Sequence, residues 1–394
     1  MHGNLETITH IYKGMMIAKN SIKFFTVLAL VFTSFGVFAS GDDKQSSDSD
    51  GGKVNTKEEI KDYIKHHLAD SHDFSLFSYT NDAGEKNHVG FPLPVIVWTS
   101  KGLKTFMSSS FHHNDDGHVI VDAGGVQLTK IHSKIYELNE GATEVSFDEA
   151  HHATNAHTVL DFSITKSVFG ILLAGLLMVL GFRSLAKGYK KGAIPTGVGR
   201  VLEPLVIYVR DEIARPNIGE KKYKRFMPYL LTVFFFIWIS NLLGLTPLGF
   251  NVTGQIAVTV CLALFTLVVY ISSGTKDFWA HTLWMPGVPK LLRPVLAVLE
   301  LAGFLLIKPF SLLVRLFANI TAGHSVVMGI AALMVLLKAE FGTVGATGIS
   351  FLLTLFLTVI ELLVAFLQAF IFTMLSALFI GMAVEEHDHA DASH

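Results

Sequence analysis

Arg315 stands in the run Lys308-Pro309-Phe310-Ser311-Leu312-Leu313-Val314-Arg315-Leu316-Phe317-Ala318-Asn319, a stretch apolar enough to sit in lipid. A permanently charged guanidinium near the middle of a bilayer costs at least roughly 2.5–3.5 kcal/mol on insertion scales, so such charges mark ion or proton pathways. Apolar-rich sequence on both sides leaves this side chain little to snorkel to. At about 100° per residue on a helix, Lys308, Arg315 and Asn319 share one stripe, and His324 faces another surface. In the last apolar stretch Glu361 and Gln368 fall on one face. A carboxylate within Val359-Ile360-Glu361-Leu362-Leu363 needs a partner or a neutralising proton. An imidazole titrates near neutral pH, so His324 and Glu361 together have the chemistry of a proton relay. The plainer reading of that pair is a polar lock between helices, and of Asn319 and Gln368 interhelical glue.

The elements that hold these residues are apolar spans. Hydrophobic residues make up 51% of the chain, and Phe, at 31, equals Lys and Arg combined. The net charge of −2 gives no nucleic-acid footprint. From Val159 onward the expected spans are about Ser167–Gly181, Met227–Leu248, Gln255–Ser273, Leu291–Leu337 and Thr347–Val384. A stretch of ~45 residues measures nearly 70 Å as one helix, so it must tilt, bend or split. The expected fold is an all-α polytopic membrane protein of about five membrane helices, two of them long, tilted and paired as a hairpin. A small mixed α/β polar domain precedes them.

Upstream of the spans, Lys19, Ser21 and Lys23 lead into an apolar run, Phe24 to Phe38, with Val37-Phe38-Ala39 where a small-residue cleavage motif is expected. This reads as a signal peptide over 1–39, because about 15 apolar residues are short for a ~30 Å core. Met15 and Met16 offer an alternative start. Residues 40–158 then form an exported polar domain, with a helix-like stretch from Thr56 to Asp70 and β character at Val95–Trp98 and Val119–Val121. The membrane domain covers 159–386 and a polar tail 387–394. The chain's one cysteine, Cys261, lies in an apolar segment, so no disulfide staples the polar domain. His66-His67 with His72, and His151-His152 with His157, read as solvated histidines, because no Cys or carboxylate spacing completes a tetrahedral site. The acidic, His-containing tail reads as a solvated end.

The loop between the first two spans carries Arg183, Lys187, Lys190, Lys191, Arg200, Arg210, Arg215, Lys221, Lys222, Lys224 and Arg225. By the excess of basic residues it belongs in the cytoplasm. The turn near Leu248–Gly254 then lies outside, Lys276–Arg293 inside, and the C-terminus inside, in agreement with an exported N-terminal domain.

The run Arg315-Leu316-Phe317-Ala318-Asn319-Ile320-Thr321-Ala322-Gly323-His324 resembles the signature of subunit a of the F-type ATP synthase. Lys308-Pro309 sits upstream as in that family. Gln368-Ala369-Phe370-Ile371-Phe372 resembles its last helix, and Ser240-Asn241-Leu242-Leu243-Gly244-Leu245-Thr246-Pro247 its second span, so the resemblance covers roughly residues 160–386. It implies that Arg315 is the stator arginine facing the essential carboxylate of a rotating c-ring, flanked by Asn319 and Gln368. His324 and Glu361 occupy positions where some members carry an acid first and a histidine second, which implies an acid–imidazole pair in an access half-channel. Members often place an acid one residue nearer the Lys-Pro pair than Glu300, which leaves Glu300 unassigned.

The implied function is to couple proton flow to ring rotation and ATP synthesis. The implied partners are the c-ring, the b subunits of a peripheral stalk, the rest of the ATP synthase, protons and the lipid bilayer, with no cofactor, metal or nucleic acid. The expected location is a bacterial inner membrane, with the polar domain periplasmic. No Walker-type loop, His-Glu-x-x-His motif or Gly-x-Ser-x-Gly elbow is present, so no enzyme activity is expected of the chain alone. A secondary transporter usually shows internal repeats, and none are found. A scaffold for the exported domain predicts tolerance of substitution at Arg315.

Overall fold

Alternating apolar and polar side chains organise the first part of the chain into small antiparallel sheets. The computed structural model describes residues 70–80, 86–112, 114–139, 141–142, 144–148, 153–191, 197–246, 250–284, 289 and 292–385. The expected leader, the helical stretch from Thr56 to residue 69, His66, His67, His151, His152 and the tail lie outside the described residues. Strand β1 (Asp73–Thr80) pairs with β2 (Lys86–Pro92). Next, β3 (Pro94–Thr99) and β4 (Gly102–Met107) form a hairpin. The strands β5 (Asp116–Asp122), β6 (Gln127–Ile131), β7 (Lys134–Leu138) and β8 (Ala156–Thr158) make a four-stranded sheet in that order. Finally β9 (Leu160–Asp161) returns to β3, giving the order β4-β3-β9. The segments of expected β character thus fall in β3 and β5. Val95 and Val97 point inward from β3 onto Phe111, Val126, Leu128 and Ile135.

Two polar ties hold this domain at its base. Lys130 Nζ donates to Asp73 at 3.1 Å, both side chains being buried. The ring of His72 lies 2.6 Å from an Asp161 carboxylate oxygen and is only 2% exposed. This corrects the expectation that the first histidine group is solvated throughout, because a ring so buried must find a polar partner. His157 does remain open to solvent. Partial burial pushes the Asp161 carboxyl up, but hydrogen bonds from His72 and Ser163 outweigh it and hold the group below its ordinary value.

The chain then becomes helical. In α1 (Lys166–Lys191) the Ser167 N–H donates to Asp70 Oδ1 at 2.9 Å, satisfying an otherwise free donor of the first turn. Helix α2 (Gly199–Tyr208) continues through a π-helical turn, Val209–Ala214, into Arg215–Ile218. Within that turn Asp211 accepts from Arg210 and Arg215, each at 2.8 Å. There follow α3 (Tyr223–Gly244), α4 (Ile256–Ser273), α5 (Lys276–Leu283) and α6 (Arg293–Ala302). A second π-helical turn, Gly303–Ile307, leads into α7 (Lys308–Val384). Gly342, at φ 68° and ψ 172°, breaks α7 into two limbs, a backbone conformation that glycine adopts without the Cβ penalty.

Among the described residues, five stretches are long and apolar enough to cross a membrane: Lys166–Lys190, Tyr223–Gly244, Ile256–Ser273, Arg293–Gly323 and Val344–Val384. The chain is therefore a mostly helical, polytopic membrane protein with small sheets at its N-terminal side. The first helix runs past the expected Gly181, and the second ends at Gly244 rather than Leu248. At 1.5 Å per residue the last stretch is about 60 Å long, twice a ~30 Å core, so it must tilt, bend or extend beyond the core.

Packing joins both limbs of α7 to α3. Leu230, Phe234 and Ile237 of α3 share a buried cluster with Leu312 and Leu316 of the first limb and with Ala369, Phe372 and Ala377 of the second. The small alanines let the helices approach closely where no water drives association. At one end of the bundle Lys222 Nζ donates to the Val384 carbonyl at 2.7 Å, and the Thr275 N–H to the Ala383 carbonyl at 2.9 Å. The basic loop, the α4–α5 junction and the end of α7 thus lie together. At the other end Phe74 and Leu93 of the β domain pack with Ala174, Leu243, Phe250 and Val252.

Candidate ion-translocating site

The spacing of buried residues in the first limb of α7 decides which way Arg315 points. Leu312, Leu316 and Ile320 are buried at i, i+4 and i+8, so that side of the helix packs inward. Phe310, Val314, Arg315, Ala318 and Asn319 consequently face out. In the second limb Ala365, Gln368, Ala369 and Phe372 are buried, while Phe356, Val359, Ile360, Leu363 and Leu367 are exposed. The two limbs thus present apolar outer surfaces, and Arg315 stands on one of them as a cation in an otherwise apolar neighbourhood. Among the described residues no hydrogen bond or ion pair reaches it.

Lys308 behaves differently. Its ammonium lies over the rings of Tyr270, Phe304 and Phe379 at 5.7, 5.9 and 5.4 Å, held by cation–π attraction. Its long stem turns toward α4 and the end of the second limb, so the expected stripe of three splits. Arg315 and Asn319 share the exposed side, and Lys308 serves a separate aromatic site. Glu300 stands near enough for its charge to act on Lys308 and Tyr270.

Between the limbs and α3 lies an open cavity of about 350 Å³. Its polar lining consists of Asn241, Asn319, Glu361 and Gln368, set among apolar walls such as Leu245, Val326 and Val364. Three of the four expected polar residues of the pathway therefore meet at one cavity. The fourth, His324, is on the first limb, and its side chain lies outside the described residues. Glu361 is half-buried. A methyl group placed on Gly323 would come within 2.8 Å of its Oε1, so the carboxylate rests against the bare backbone of the facing limb. Arg315 is one helical turn from Asn319 on the outer face and is not among the residues that line the cavity.

Asn241 was legible in the sequence only as part of a motif, without a role. Its Nδ2 donates to the Ala365 carbonyl at 3.2 Å and its Oδ1 accepts from Thr253 Oγ1 at 2.6 Å, with both side chains buried. It thereby ties α3 and the loop after it to the second limb between Glu361 and Gln368. An amide in an apolar span that would otherwise bury two unsatisfied groups is the signal that could have found it.

The arrangement joins a carboxyl group and three amides around space large enough for several waters, in a span otherwise hostile to charge. Among the described residues no group of three or more His, Cys, Asp or Glu is placed to hold a metal ion.

The family model described as ATP synthase A chain matches residues 168–381, and a domain of unknown function matches residues 63–162. A protein named ATP synthase subunit a from Chloroherpeton thalassium is 42% identical over 242 residues, covering 59% of this chain and 70% of the relative. One of the same name from an Anaeromyxobacter species is 37% identical over 297 residues, 71% of each chain. Another from Myxococcus xanthus is 42% identical over 242 residues, covering 60% of this chain and 78% of the relative.

Proposed function

The chain belongs to the ATP synthase A chain family, and from that premise we propose that Arg315 is the coupling charge facing a c-ring carboxylate and that the cavity lined by Glu361 is part of one of two proton half-channels. The family places the chain in the membrane sector of a multi-subunit complex, the ATP synthase.

The observation that carries the proposal is an exposed arginine, with no hydrogen bond or ion pair among the described residues, on the outer apolar face of a helix hairpin that also holds a largely apolar cavity with Asn241, Asn319, Glu361 and Gln368 in its lining. A ring carboxylate crosses lipid protonated and not ionised. Protons arrive through the cavity by way of His324 and Glu361 and reach the carboxylate, the ring turns, and deprotonation occurs into the second half-channel. At 4 Å and an effective dielectric near 20, two unit charges interact by about 4 kcal/mol, which favours an ionised carboxylate opposite Arg315. The same charge repels a hydrated proton that would pass between the channels without turning the ring. Arginine suits this task because lysine can release its proton when buried. Asn319 and Gln368 flank the charge with dipoles.

The wider assignment follows the same reading. Residues 1–39 are a leader cleaved before a periplasmic domain at 40–158, the membrane domain spans 159–386, and 387–394 is a cytoplasmic tail of an inner-membrane protein. The basic loop, gathered with the end of α7, faces the cytoplasm by its charge and meets the b subunits of the peripheral stalk.

The test is ATP-driven proton pumping in inverted membrane vesicles, comparing the natural chain with Arg315→Ala at matched assembly. Loss of pumping with the complex intact is the expected result. Unchanged pumping would overturn the assignment of Arg315 and favour the scaffold reading.

A further inference from the structure

The β4-β3-β9 sheet is apolar on both faces. Its inner face, through Val95 and Val97, is part of the domain core. On the outer face the register sets Leu103 of β4 and Leu160 of β9 directly opposite Trp98 of β3, so the three form one row across the sheet. They are 55%, 66% and 56% exposed, respectively. Met107, two pairs along β4 from Thr105, and Phe162, just beyond β9, extend the same surface and are also exposed. An antiparallel sheet with one solvated face normally carries polar residues there. A contiguous exposed patch of this kind marks an interaction surface.

The position of the patch in the chain identifies what covers it. Leu160 and Phe162 come immediately before α1, whose Val168 and Leu172 are themselves exposed on a membrane-spanning helix. Two tight turns separate strand from helix: the Ser163 N–H donates to Asp161 Oδ1 at 2.8 Å, and the Thr165 N–H to the Ser163 carbonyl at 3.1 Å. The sheet is therefore not a straight extension of α1 and is free to lie across its entry point. The domain is also fixed there, since Phe74, Phe91, Phe169 and Phe250 form a ring cluster with centroid separations of 4.6–6.1 Å. Trp with Leu, Met and Phe is the composition that settles at the boundary between headgroups and acyl chains.

We infer that the outer face of this sheet, centred on Trp98, rests in the interfacial layer of the bilayer at the leaflet α1 enters, so that lipid is the partner of the β domain. The surface continues the lipid contact of α1 and makes the domain a second, peripheral anchor. It stands independently of the role proposed for Arg315.

Spin labels test this. Leu103→Cys, Leu160→Cys and, as an aqueous reference, Lys134→Cys are each placed in a Cys261→Ser full chain. Each chain is assembled with cysteine-free partner subunits in phosphatidylcholine–phosphatidylglycerol vesicles. Retained proton pumping certifies each variant. The expected result is more frequent collision with oxygen than with a water-soluble nickel chelate at positions 103 and 160, and the reverse at 134. Chelate-dominated collisions at 103 and 160 would place the face in water. Suppression of both quenchers would place it under protein, whether another subunit or residues 56–69 of this chain. Either outcome overturns the inference.

Discussion

Gly323→Ala separates the position of the Glu361 carboxyl from the stability of the helix that carries Gly323. The new Cβ would stand 2.8 Å from Glu361 Oε1, 0.6 Å short of ordinary contact, while Cδ and Cγ, at 3.7 and 3.8 Å, are already clear. Only the tip of a flexible side chain has to move, so the helices need not part. Pushing a side chain off its rotamer costs about 0.5–1.5 kcal/mol. If that displacement enters the barrier to proton transfer, with 1.36 kcal/mol per tenfold in rate, pumping falls by about 2- to 13-fold. Helix stability moves the other way, because alanine is favoured over glycine by about 1 kcal/mol in a helix interior. Gly329 offers the control, since among the described residues nothing lies within 4 Å of a Cβ added there. The assay is ATP-driven acidification of inverted vesicles, normalised to assembled complex. Gly323→Ala should slow it while Gly329→Ala leaves it unchanged. Equal rates for both variants and the natural chain would refute the reasoning, and an equal fall in both would trace the effect to the helix instead of the carboxyl.

Gly381→Ala acts on an immobile neighbour. Its Cβ would fall 1.9 Å from the Asn217 carbonyl oxygen, so backbone must separate where α7 ends against the basic loop. Overpacking of this kind costs about 1–3 kcal/mol, and a lower melting temperature of the detergent-solubilised protein, with poorer assembly, is the expected reading. The Asp161 carboxyl titrates below its ordinary value when folded. Its contribution to stability is therefore full above that ordinary value near 3.8 and is lost as the pH falls further, through the folded value. Melting temperature measured against pH should drop in that acid window in the natural chain and drop less steeply in Asp161→Asn, which is already weakened at neutral pH.

Hydropathy alone located the five spans found among the described residues, because twenty or so apolar residues have few other uses. Arg315, Glu361 and Gln368 stood out for the converse reason, as polar groups where polarity is costly. Strand segments such as Val95–Trp98 were visible in β-branched and aromatic residues, but their partners were not. The return of β9 to β3 joins residues more than sixty positions apart, and no local preference encodes it. The π-helical turns at Val209–Ala214 and Gly303–Ile307 left no trace in composition. Lys308 was misplaced because periodicity fixes where a Cα lies on a helix, whereas four methylenes decide where an ammonium ends. The burial of His72 was hidden for a similar reason, since its partner Asp161 is 89 positions away.

The cluster of Phe74, Leu93, Ala174, Leu243, Phe250 and Val252 draws on the β domain, α1, α3 and the loop after α3, so the β domain and the membrane helices share one core. From Val252 the next residue, Thr253, bonds Asn241, and Asn241 bonds the Ala365 carbonyl one helical turn after Glu361. Elements that share a core do not open independently. The β domain and the bundle should therefore behave as one cooperative unit, with amide protons around Val252 and Ala365 exchanging at a common rate. Loosening the domain's base would then reach the channel wall as an equilibrium effect, through the population of a jointly opened state.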